Sequence, residues 1–325
     1  QGKGAEPFVT PTGRRYYTAA QMNELRAVLD RFPGRKGSDK LQVISVVNFK
    51  GGSGKTTTAV HLSEYLALRG FRVLVVDLDP QASLTALFGI QPELDGNPSF
   101  YDALRYDEKR VSIGAVRRAT NFPGLDIVPA NLELQEYEYE TPIAMHAKDS
   151  KAGRSFYTRI GSALAEVDSD YDVVVIDCPP QLGYLTLTAL AAATSVLITV
   201  HPQMLDIMSM SQFLLMLGDI LKSIEAAGVK VSLDWFRYLV TRYEPGDVPQ
   251  QEMVGLMQSM FARQMLKNPM VKSTAISDAG LTKQSLYEVE RSEFVSSTYD
   301  RARESLDGVN GEIVDLIFKA WGRVE

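Results

Sequence analysis

The sequence predicts a doubly wound α/β protein, in which helices cover both faces of a mostly parallel β-sheet. Strongly apolar segments of strand length alternate with segments of helical length, and the first strand runs into a glycine-rich loop. Two later strands end in aspartates. Parallel strands that are buried on both faces have continuous apolar sequences of this kind. The 325 residues can form one large α/β domain with an appendage, or two domains.

The elements follow from the apolar runs and from the turn residues between them. Strands are predicted at Leu41–Asn48, Phe71–Asp77, Leu125–Val128, Tyr171–Asp177, Ser195–Val200 and Trp235–Thr241. Helices are predicted at Thr56–Arg69, Arg154–Val167, Tyr184–Ala193, Asp206–Ala226, Pro249–Ala262 and Thr298–Arg323.

The composition is that of an ordinary globular protein, with 45% hydrophobic and 23% charged residues. The longest apolar runs have the length of strands, so the sequence predicts neither a membrane-spanning segment nor a secretory signal. The single cysteine, Cys178, excludes an intramolecular disulfide and fits a reducing cytoplasm, which is the predicted location. The chain begins with Gln1 rather than Met, and we expect a processed, tagged or truncated form.

Charge is distributed unevenly along the chain. Residues 1–40 contain eight Lys and Arg against four Asp and Glu, whereas the whole chain has a net charge of −6. The segment 31–40 is rich in glycine, proline and charge, which is typical of a linker. We therefore predict two parts, a basic N-terminal arm of residues 1–40 and an α/β domain of residues 41–325. A solvated, flexible tail explains the charge of the arm equally well.

The first strand leads into the segment 50–57, which reads KGGSGKTT and has the composition of a phosphate-binding loop. Glycines between a strand and a helix let backbone N–H groups point at a phosphate, and the helix start adds partial positive charge. Lys55 would reach the β- and γ-phosphates, and the Thr56 hydroxyl would ligate Mg²⁺. Phe49 replaces the first glycine of the common pattern, and a second lysine, Lys50, follows it. A glycine turn without a ligand is the alternative explanation.

Three aspartates are predicted to lie at the same edge of the sheet as this loop. Asp77 and Asp79 end the second strand, and Asp177 ends a later one. In an open α/β sheet, ligands bind outside the carboxyl ends of the strands. One carboxylate can hold a metal-bound water while another orients or deprotonates the attacking water. A helix cap or turn explains a single aspartate better, but three at these positions beside the loop favour a nucleotide site.

The loop and the aspartates resemble those of the ParA/MinD family of deviant Walker A ATPases. Residues 50–56 are similar to the family's Walker A loop, residues 77–81 to its second motif, and residues 174–177 to its Walker B strand. The resemblance extends over residues 41–325. It implies a P-loop NTPase fold, ATP and Mg²⁺ as ligands, slow ATP hydrolysis stimulated by a partner, and a homodimer formed around two nucleotides.

The resemblance also implies a role for each residue of the site. Lys50 would contact the phosphates bound in the opposing subunit, as a cation supplied in trans during phosphoryl transfer. Asp79 would position the attacking water, Asp77 would support the metal region, and Asp177 would hold a Mg²⁺-bound water. The resulting assignments are Lys50, Lys55 and Asp79 for catalysis; Lys50, Gly51, Gly52, Ser53, Gly54, Lys55, Thr56 and Thr57 for ATP; and Thr56, Asp77 and Asp177 for Mg²⁺.

Within this family, four further segments resemble the RepA proteins of repABC plasmid operons, a class of large ParA-type partition proteins. The segments are TRYEPGD (241–247), NPMVKSTAISDAGLTKQSLYEVE (268–290), TYDRARESLD (298–307) and AWGR (320–323). Residues 13–29 resemble the wing and the following helix of a MerR-like winged helix, without the recognition helix that should precede them. We therefore expect residues 1–40 to be the remnant of an operator-binding domain, which represses the protein's own operon when full length.

The resemblance implies sequence-independent DNA binding in the ATP-bound state, through basic residues of the C-terminal part. Arg263, Lys267 and Lys272 stand in a segment, 253–277, that contains no acidic residue, and they are the predicted DNA contacts. A solvated surface is the alternative. A second basic cluster, of lower rank, consists of Lys148, Lys151, Arg154 and Arg159. The implied partners are a second copy of the chain, DNA of the nucleoid, and a RepB-like, ParB-type centromere-binding protein.

Two other functions are compatible with the loop. A MinD-like division-site ATPase would bind a membrane through its C-terminal helix, but residues 301–325 contain four basic and five acidic residues, which disfavours an anionic surface. A metabolic P-loop enzyme, such as a synthetase or a reductase, would turn over faster and would need a small substrate. The sequence favours a plasmid partition ATPase without a membrane partner.

Overall fold

The computed structural model describes residues 6–48, 50–91, 98–146, 156–226, 228–229 and 231–323. Its strands are β1 Phe8–Val9, β2 Arg15–Tyr16, β3 Gln42–Val47, β4 Val73–Asp77, β5 Arg118–Ala119, β6 Leu125–Val128, β7 Val173–Asp177, β8 Ser195–Val200 and β9 Trp235–Val240. Seven of them form one sheet in the order β5-β6-β4-β7-β3-β8-β9. Only β5 runs antiparallel to its neighbour in this sheet, so the predicted mostly parallel sheet is confirmed.

The helices cover both faces of this sheet. They are α1 Ala19–Val28, α2 Lys55–Arg69, α3 Ser83–Leu87, α4 Phe100–Leu104, α5 Ile113–Val116, α6 Glu136–His146, α7 Arg159–Ala165, α8 Tyr184–Ala192, α9 Met204–Ala226, α10 Val248–Phe261, α11 Thr274–Leu281 and α12 Ser296–Ala320. The predicted helix at 154–167 is observed as a 3-10 turn, Phe156–Thr158, followed by α7, and its first two residues lie outside the described part. None of the helices in the described part is long and apolar enough to cross a bilayer.

Two hydrophobic cores lie on opposite faces of the sheet. Neighbouring residues of a strand point to opposite faces, and β7 shows how both faces are filled. Val174 and Ile176 belong to the core that includes Ile160 of α7, on the face where α8 also packs. Val173 and Val175 belong to the core covered by α2 and α12. Burial on both faces explains why β4 and β7 each have four consecutive apolar residues rather than alternating ones.

The N-terminal arm contains a hairpin and a helix. Strands β1 and β2 pair antiparallel, and Thr18 and Gln21 form a capping box that begins α1. No residue of α1 is buried. A hairpin followed by a helix is the arrangement expected of a wing and its following helix. The assignment of the arm to a winged-helix remnant, and the boundary after residue 40, stay predictions.

The end of the arm packs against the α/β domain. The main-chain N–H of Arg35 donates to Asp172 at 3.0 Å, just before β7 begins. The indole N–H of Trp321 donates to the carbonyl of Lys40 at 2.8 Å, and Arg323 donates to the carbonyl of Pro33 at 2.9 Å. The segment predicted as a linker is therefore fixed at the edge of the sheet where the parallel strands begin.

Candidate nucleotide-binding site

The glycine loop connects β3 to α2 at the edge where the strands end. Gly52 and Gly54 have φ angles of +74° and +85°, in the left-handed region that side chains disfavour. A Cβ at Gly54 would also lie 3.3 Å from Thr241, which follows β9. The carbonyl of Gly54 accepts from the N–H and the hydroxyl of Thr58, at 2.9 and 2.7 Å, and so begins α2. Both glycines are therefore required by the local geometry of the loop.

Residues at the ends of β8 and β9 hold the loop in place. The hydroxyl of Thr199 donates to the hydroxyl of Ser53 at 3.0 Å, and the hydroxyl of Thr241 donates to the Ser53 carbonyl at 2.7 Å. The guanidinium of Arg242 donates to the carbonyl of Gly52 at 3.1 Å. These contacts fix the loop from the adjacent strands.

Thr56 and Asp177 form the central pair of the site. The Thr56 hydroxyl donates to Asp177 Oδ2 at 2.6 Å, and Asp177 is 1% exposed. Its other oxygen, Oδ1, is buried and has no hydrogen-bond partner among the described residues. An unpaired buried oxygen costs free energy, and beside a phosphate-binding loop a ligand would supply the missing partner. A water bound to Mg²⁺ can donate to such an oxygen, and the residues therefore fit the predicted metal.

Mg²⁺ at this place would share its coordination with water and phosphate. Across the part of the chain that the structure describes, no three His, Cys, Asp or Glu side chains converge to hold a metal by themselves. Mg²⁺ keeps several waters and is commonly bound by one or two carboxylates together with substrate phosphates. Thr56 and Asp177 would supply the protein's share of such a site.

Asp77 supports the loop that carries Asp79. Asp77 is fully buried, and its Oδ1 accepts from the N–H of Asp79 at 3.1 Å. Its Oδ2 accepts from the N–H and the hydroxyl of Thr85, at 2.8 and 2.7 Å. Burial raises the pKa of Asp77 to about 6. Because both oxygens have protein partners, the structure shows a supporting contact, and the assignment of Asp77 to Mg²⁺ stays a prediction.

The two lysines of the loop differ in exposure. Lys55 is 7% exposed, and its ammonium donates to the carbonyl of Lys50 at 3.4 Å. Burial lowers the pKa of Lys55, against the opposing effect of Asp177. Burial raises the pKa of Asp177 well above its usual range, and nearby Asp77 adds to this increase. Lys50 is exposed, and its N–H donates to the side-chain oxygen of Asn48 at 2.9 Å.

The loop opens into a cavity of about 450 Å³, within the size range of small-molecule sites. Residues 51–57 and Asp79 line one side of it. The lining residues that the sequence analysis did not assign are Ser83, Pro180, Thr241, Arg242, Met270, Val271, Ser273, Ile276 and Ser277. Thr241 and Arg242 follow β9, so the strand-end rule that selected the aspartates could also have selected them. Residues 270–277 carry no comparable signal in the sequence.

The three predicted DNA contacts occupy different surroundings. Lys272 lines the nucleotide cavity, and its ammonium lies 2.9 Å from the Glu244 carboxylate. Arg263 and Lys267 are exposed, and the main-chain N–H of Lys267 donates to Glu312 at 2.8 Å. The segment without acidic residues therefore meets acidic side chains from other segments.

The second basic cluster can be described only at Arg159. Lys148, Lys151 and Arg154 lie outside the described residues. Arg159 donates to the carbonyl of Leu104 at 2.9 Å and packs over the ring of Tyr106, with 3.9 Å between guanidinium and ring centre. These contacts hold Arg159 against the body of the protein.

Comparison with known proteins agrees with this site. The family model AAA_31, described as an AAA domain, matches residues 41–228. The chain is 64% identical over 332 residues to the "Putative replication protein A" of Sinorhizobium fredii, and the match covers 99% of this chain and 82% of that protein.

Two solved structures share the fold. The cobyrinic acid a,c-diamide synthase of Mycobacterium smegmatis, with bound ATP analogue and magnesium, is 29% identical with a TM-score of 0.60, over 74% of this chain and 94% of that chain. A putative plasmid partition protein of Borrelia burgdorferi, bound to AMPPNP, is 19% identical with a TM-score of 0.59, over 82% of this chain and 98% of that chain. The second likeness shows the fold alone. Because the family model spans more than half of the chain, including the glycine loop and Asp177, the chain belongs to the ParA/MinD-like family of P-loop ATPases.

Proposed function

We propose that the protein is a DNA partition ATPase that binds ATP and Mg²⁺ in the cavity, dimerises around two nucleotides and then binds DNA without sequence preference. The observation that carries this proposal is the Asp177 carboxylate beside the phosphate loop, with one oxygen on Thr56 and the other without a partner. Hydrolysis, slow by itself and stimulated by a partner protein, returns the dimer to monomers and releases the DNA.

The residues of the site divide the chemistry between them. The backbone of residues 51–57 and the Lys55 ammonium hold the phosphates, and Thr56 and Asp177 hold Mg²⁺, which neutralises phosphate charge. Asp79 lines the cavity and is only partly buried, so its carboxylate can orient the attacking water.

The dimer depends on Lys50. The exposed position of Lys50 on the loop, outside the lining of its own cavity, supports a contact with the phosphates of the other subunit. A cation supplied in this way stabilises charge that develops during phosphoryl transfer. The two nucleotides then lie between the subunits, and ATP binding controls dimerisation.

The remaining parts of the proposal concern the surfaces that would contact DNA and the partner protein. Arg263 and Lys267 supply contacts to DNA phosphates, and the arm of residues 1–40 belongs to an operator-binding domain that represses the operon. The hydrolysis-stimulating partner is a ParB-type centromere-binding protein. The protein acts in the cytoplasm, on the nucleoid.

The test compares the three nucleotide states. Binding to random-sequence DNA and mass by size-exclusion chromatography with light scattering are measured with ATP, with ADP and without nucleotide. We expect dimers and DNA binding with ATP, and neither with ADP nor without nucleotide. Lys50→Ala should keep ATP affinity but lose the dimer, hydrolysis and DNA binding together, whereas Lys36→Ala, an exposed lysine at the opposite edge of the sheet, should behave as the parent.

Two results would contradict the proposal. Equal DNA binding in all three nucleotide states would remove the nucleotide switch. An ATP-dependent dimer of Lys50→Ala as stable as that of the parent would exclude the contact across the dimer.

A further inference from the structure

Buried polar groups join α2 to the chain that follows α11. This α2 seam consists of His61 and Glu64 on α2, Ser285 and the N–H of Leu286 after α11, and Asn310 on α12. Its side chains are between 0% and 4% exposed, within a core that is otherwise apolar. Buried polar groups cost free energy unless they are hydrogen-bonded, so their partners decide what the seam does.

Three hydrogen bonds cross the seam. The N–H of Leu286 donates to His61 Nε2 at 3.2 Å, and the amide of Asn310 donates to the carbonyl of His61 at 3.3 Å. The hydroxyl of Ser285 donates to the Glu64 carboxyl group. Burial raises the pKa of Glu64 and lowers the pKa of His61 to about 4, so burial favours the neutral form of each side chain.

The His61 ring connects α2, the helix that follows the phosphate loop, to the far side of the seam. His61 Nδ1 lies 2.7 Å from the carbonyl oxygen of Thr57, which can only accept, so Nδ1 carries the proton. Nε2 is then the acceptor that the N–H of Leu286 requires. The neutral imidazole therefore makes both contacts, whereas an alanine would make neither.

Both ends of this connection reach the nucleotide cavity. Thr57, in the first turn of α2, lines the cavity directly, and α11, which ends four residues before Ser285, contributes Ile276 and Ser277 to the same lining. We propose that His61 is a positioning residue whose imidazole sets the separation between α2, which follows the phosphate loop, and the chain after α11, and thereby the affinity for ATP. This inference rests on the proposed ATP site.

The experiment compares His61→Ala with two other changes in α2. His61→Ala should weaken binding of a fluorescent ATP analogue about tenfold, as expected for the loss of a buried hydrogen-bonded contact, and should raise KM more than it lowers kcat. His61→Gln should recover most of the affinity, because its side-chain oxygen can accept from Leu286. Ser63→Ala is the matched control, since the Ser63 hydroxyl is buried on the same helix and donates to Ala59 within that helix at 2.7 Å.

A smaller change tests the same seam if His61→Ala fails to fold. Ser285→Ala removes one bond across the seam and should weaken ATP binding about threefold. Unchanged ATP affinity in His61→Ala and Ser285→Ala, or equal weakening in Ser63→Ala, would contradict the positioning role. Lys55→Ala separates the two proposals: if it binds ATP as the parent does, the ATP site itself is wrong, and if it loses ATP while the seam variants keep it, only the seam proposal is wrong.

Discussion

Strand β7 has a buried aspartate at each end, and the two carboxylates have opposite surroundings. Asp172 precedes the strand where the arm packs, and Asp177 ends it at the nucleotide cavity; they are 2% and 1% exposed. Asp172 accepts from the main-chain N–H groups of Arg35 and Arg72 at 3.0 and 2.8 Å, and from the Arg72 guanidinium at 2.7 Å. Asp177 accepts from Thr56 on one oxygen, and its other oxygen has no partner among the described residues.

In the proposed function, this difference distinguishes a structural carboxylate, Asp172, from a functional one, Asp177. Around Asp172 the fit is so close that a Cβ at Gly34 would lie 2.5 Å from Asp172 Oδ2. Around Asp177, burial and the neighbouring Asp77 raise the pKa of the carboxyl group, so both disfavour its ionised form, which a bound cation would stabilise. A buried charge whose partners are complete stabilises the fold. One whose partners are incomplete, at the end of a strand beside a phosphate-binding loop, is a candidate for binding a ligand.

The largest effect is expected from Asp177→Asn. The amide keeps the shape of the side chain and can still accept from Thr56, but it removes the charge that would hold the metal-bound water. We expect ATP hydrolysis to fall about a thousandfold, as for the loss of metal-assisted charge stabilisation. The free energy of unfolding should stay constant or rise, because the neutral amide avoids the burial of a charge and its repulsion by Asp77. Steady-state hydrolysis and urea unfolding measure the two quantities.

Asp172→Asn is the matched control, since it makes the same chemical change at the other end of the same strand. Hydrolysis by this variant should remain within about twofold of the parent, because Asp172 lies at the opposite edge of the sheet. If Asp177→Asn hydrolyses ATP normally, or if both variants lose hydrolysis equally, the distinction between the two ends is wrong.

Asp79→Ala tests the loop that Asp77 supports. We expect normal ATP binding and dimerisation with hydrolysis reduced on the order of a hundredfold, because a water-orienting group is lost. Single-turnover hydrolysis measured beside ATP affinity distinguishes a catalytic role from a binding role. The neighbouring Gln81→Ala, on the same turn, should retain hydrolysis. Normal hydrolysis by Asp79→Ala would mean that another residue orients the attacking water.

The two asparagine variants should rank in the opposite order for stability: Asp172→Asn, which keeps hydrolysis, should lower the free energy of unfolding more than Asp177→Asn. Asp172→Asn places an amide N–H group against donors that a carboxylate accepts from, and should lower the free energy of unfolding by about 2 kcal/mol. The bond to Arg72 contributes less than a fully buried pair would, since the Arg72 side chain is 49% exposed. Urea unfolding of the two asparagine variants measures this difference. A destabilisation of Asp177→Asn larger than that of Asp172→Asn would reverse the comparison.

The sequence was sufficient for the elements that local pattern determines. Six strands of the sheet are largely apolar, and the glycine loop with its strand-end aspartates follows the common rule for ligand sites. Strand β5, Arg118–Ala119, has two residues and no apolar run, so no pattern predicts it. The short helices α3, α4 and α5 have five residues or fewer, which is too few for a helical period to be visible.

The features of the site and of the arm that the sequence did not predict depend on contacts between distant segments. The segment 270–277 reaches the cavity because Val271 forms a parallel β-bridge with Tyr243, just beyond β9. The attachment of the arm depends on Asp172 and Arg323, which are far from residues 33–40 in sequence. The seam at His61 likewise joins positions separated by 225 residues. Polar residues in such places resemble ordinary surface residues until the fold buries them.

The smallest effect is expected at the basic segment, where the structure separates two lysines that the sequence groups together. At saturating ATP, Lys267→Glu should weaken binding to all DNA sequences a few-fold and reduce the slope of log affinity against log salt by about 1, because fewer counterions are released. Lys272→Glu should instead weaken ATP binding, since Lys272 lines the cavity beside Glu244, and should leave the salt slope unchanged once ATP is saturating. Fluorescence anisotropy with random DNA, at several salt and ATP concentrations, separates the two effects.

Lys283→Glu, an exposed lysine beyond α11, is the control for a change of net charge. An unchanged salt slope for Lys267→Glu would mean that the DNA contacts lie elsewhere. A reduced salt slope for Lys272→Glu at saturating ATP would mean that Lys272 does contact DNA.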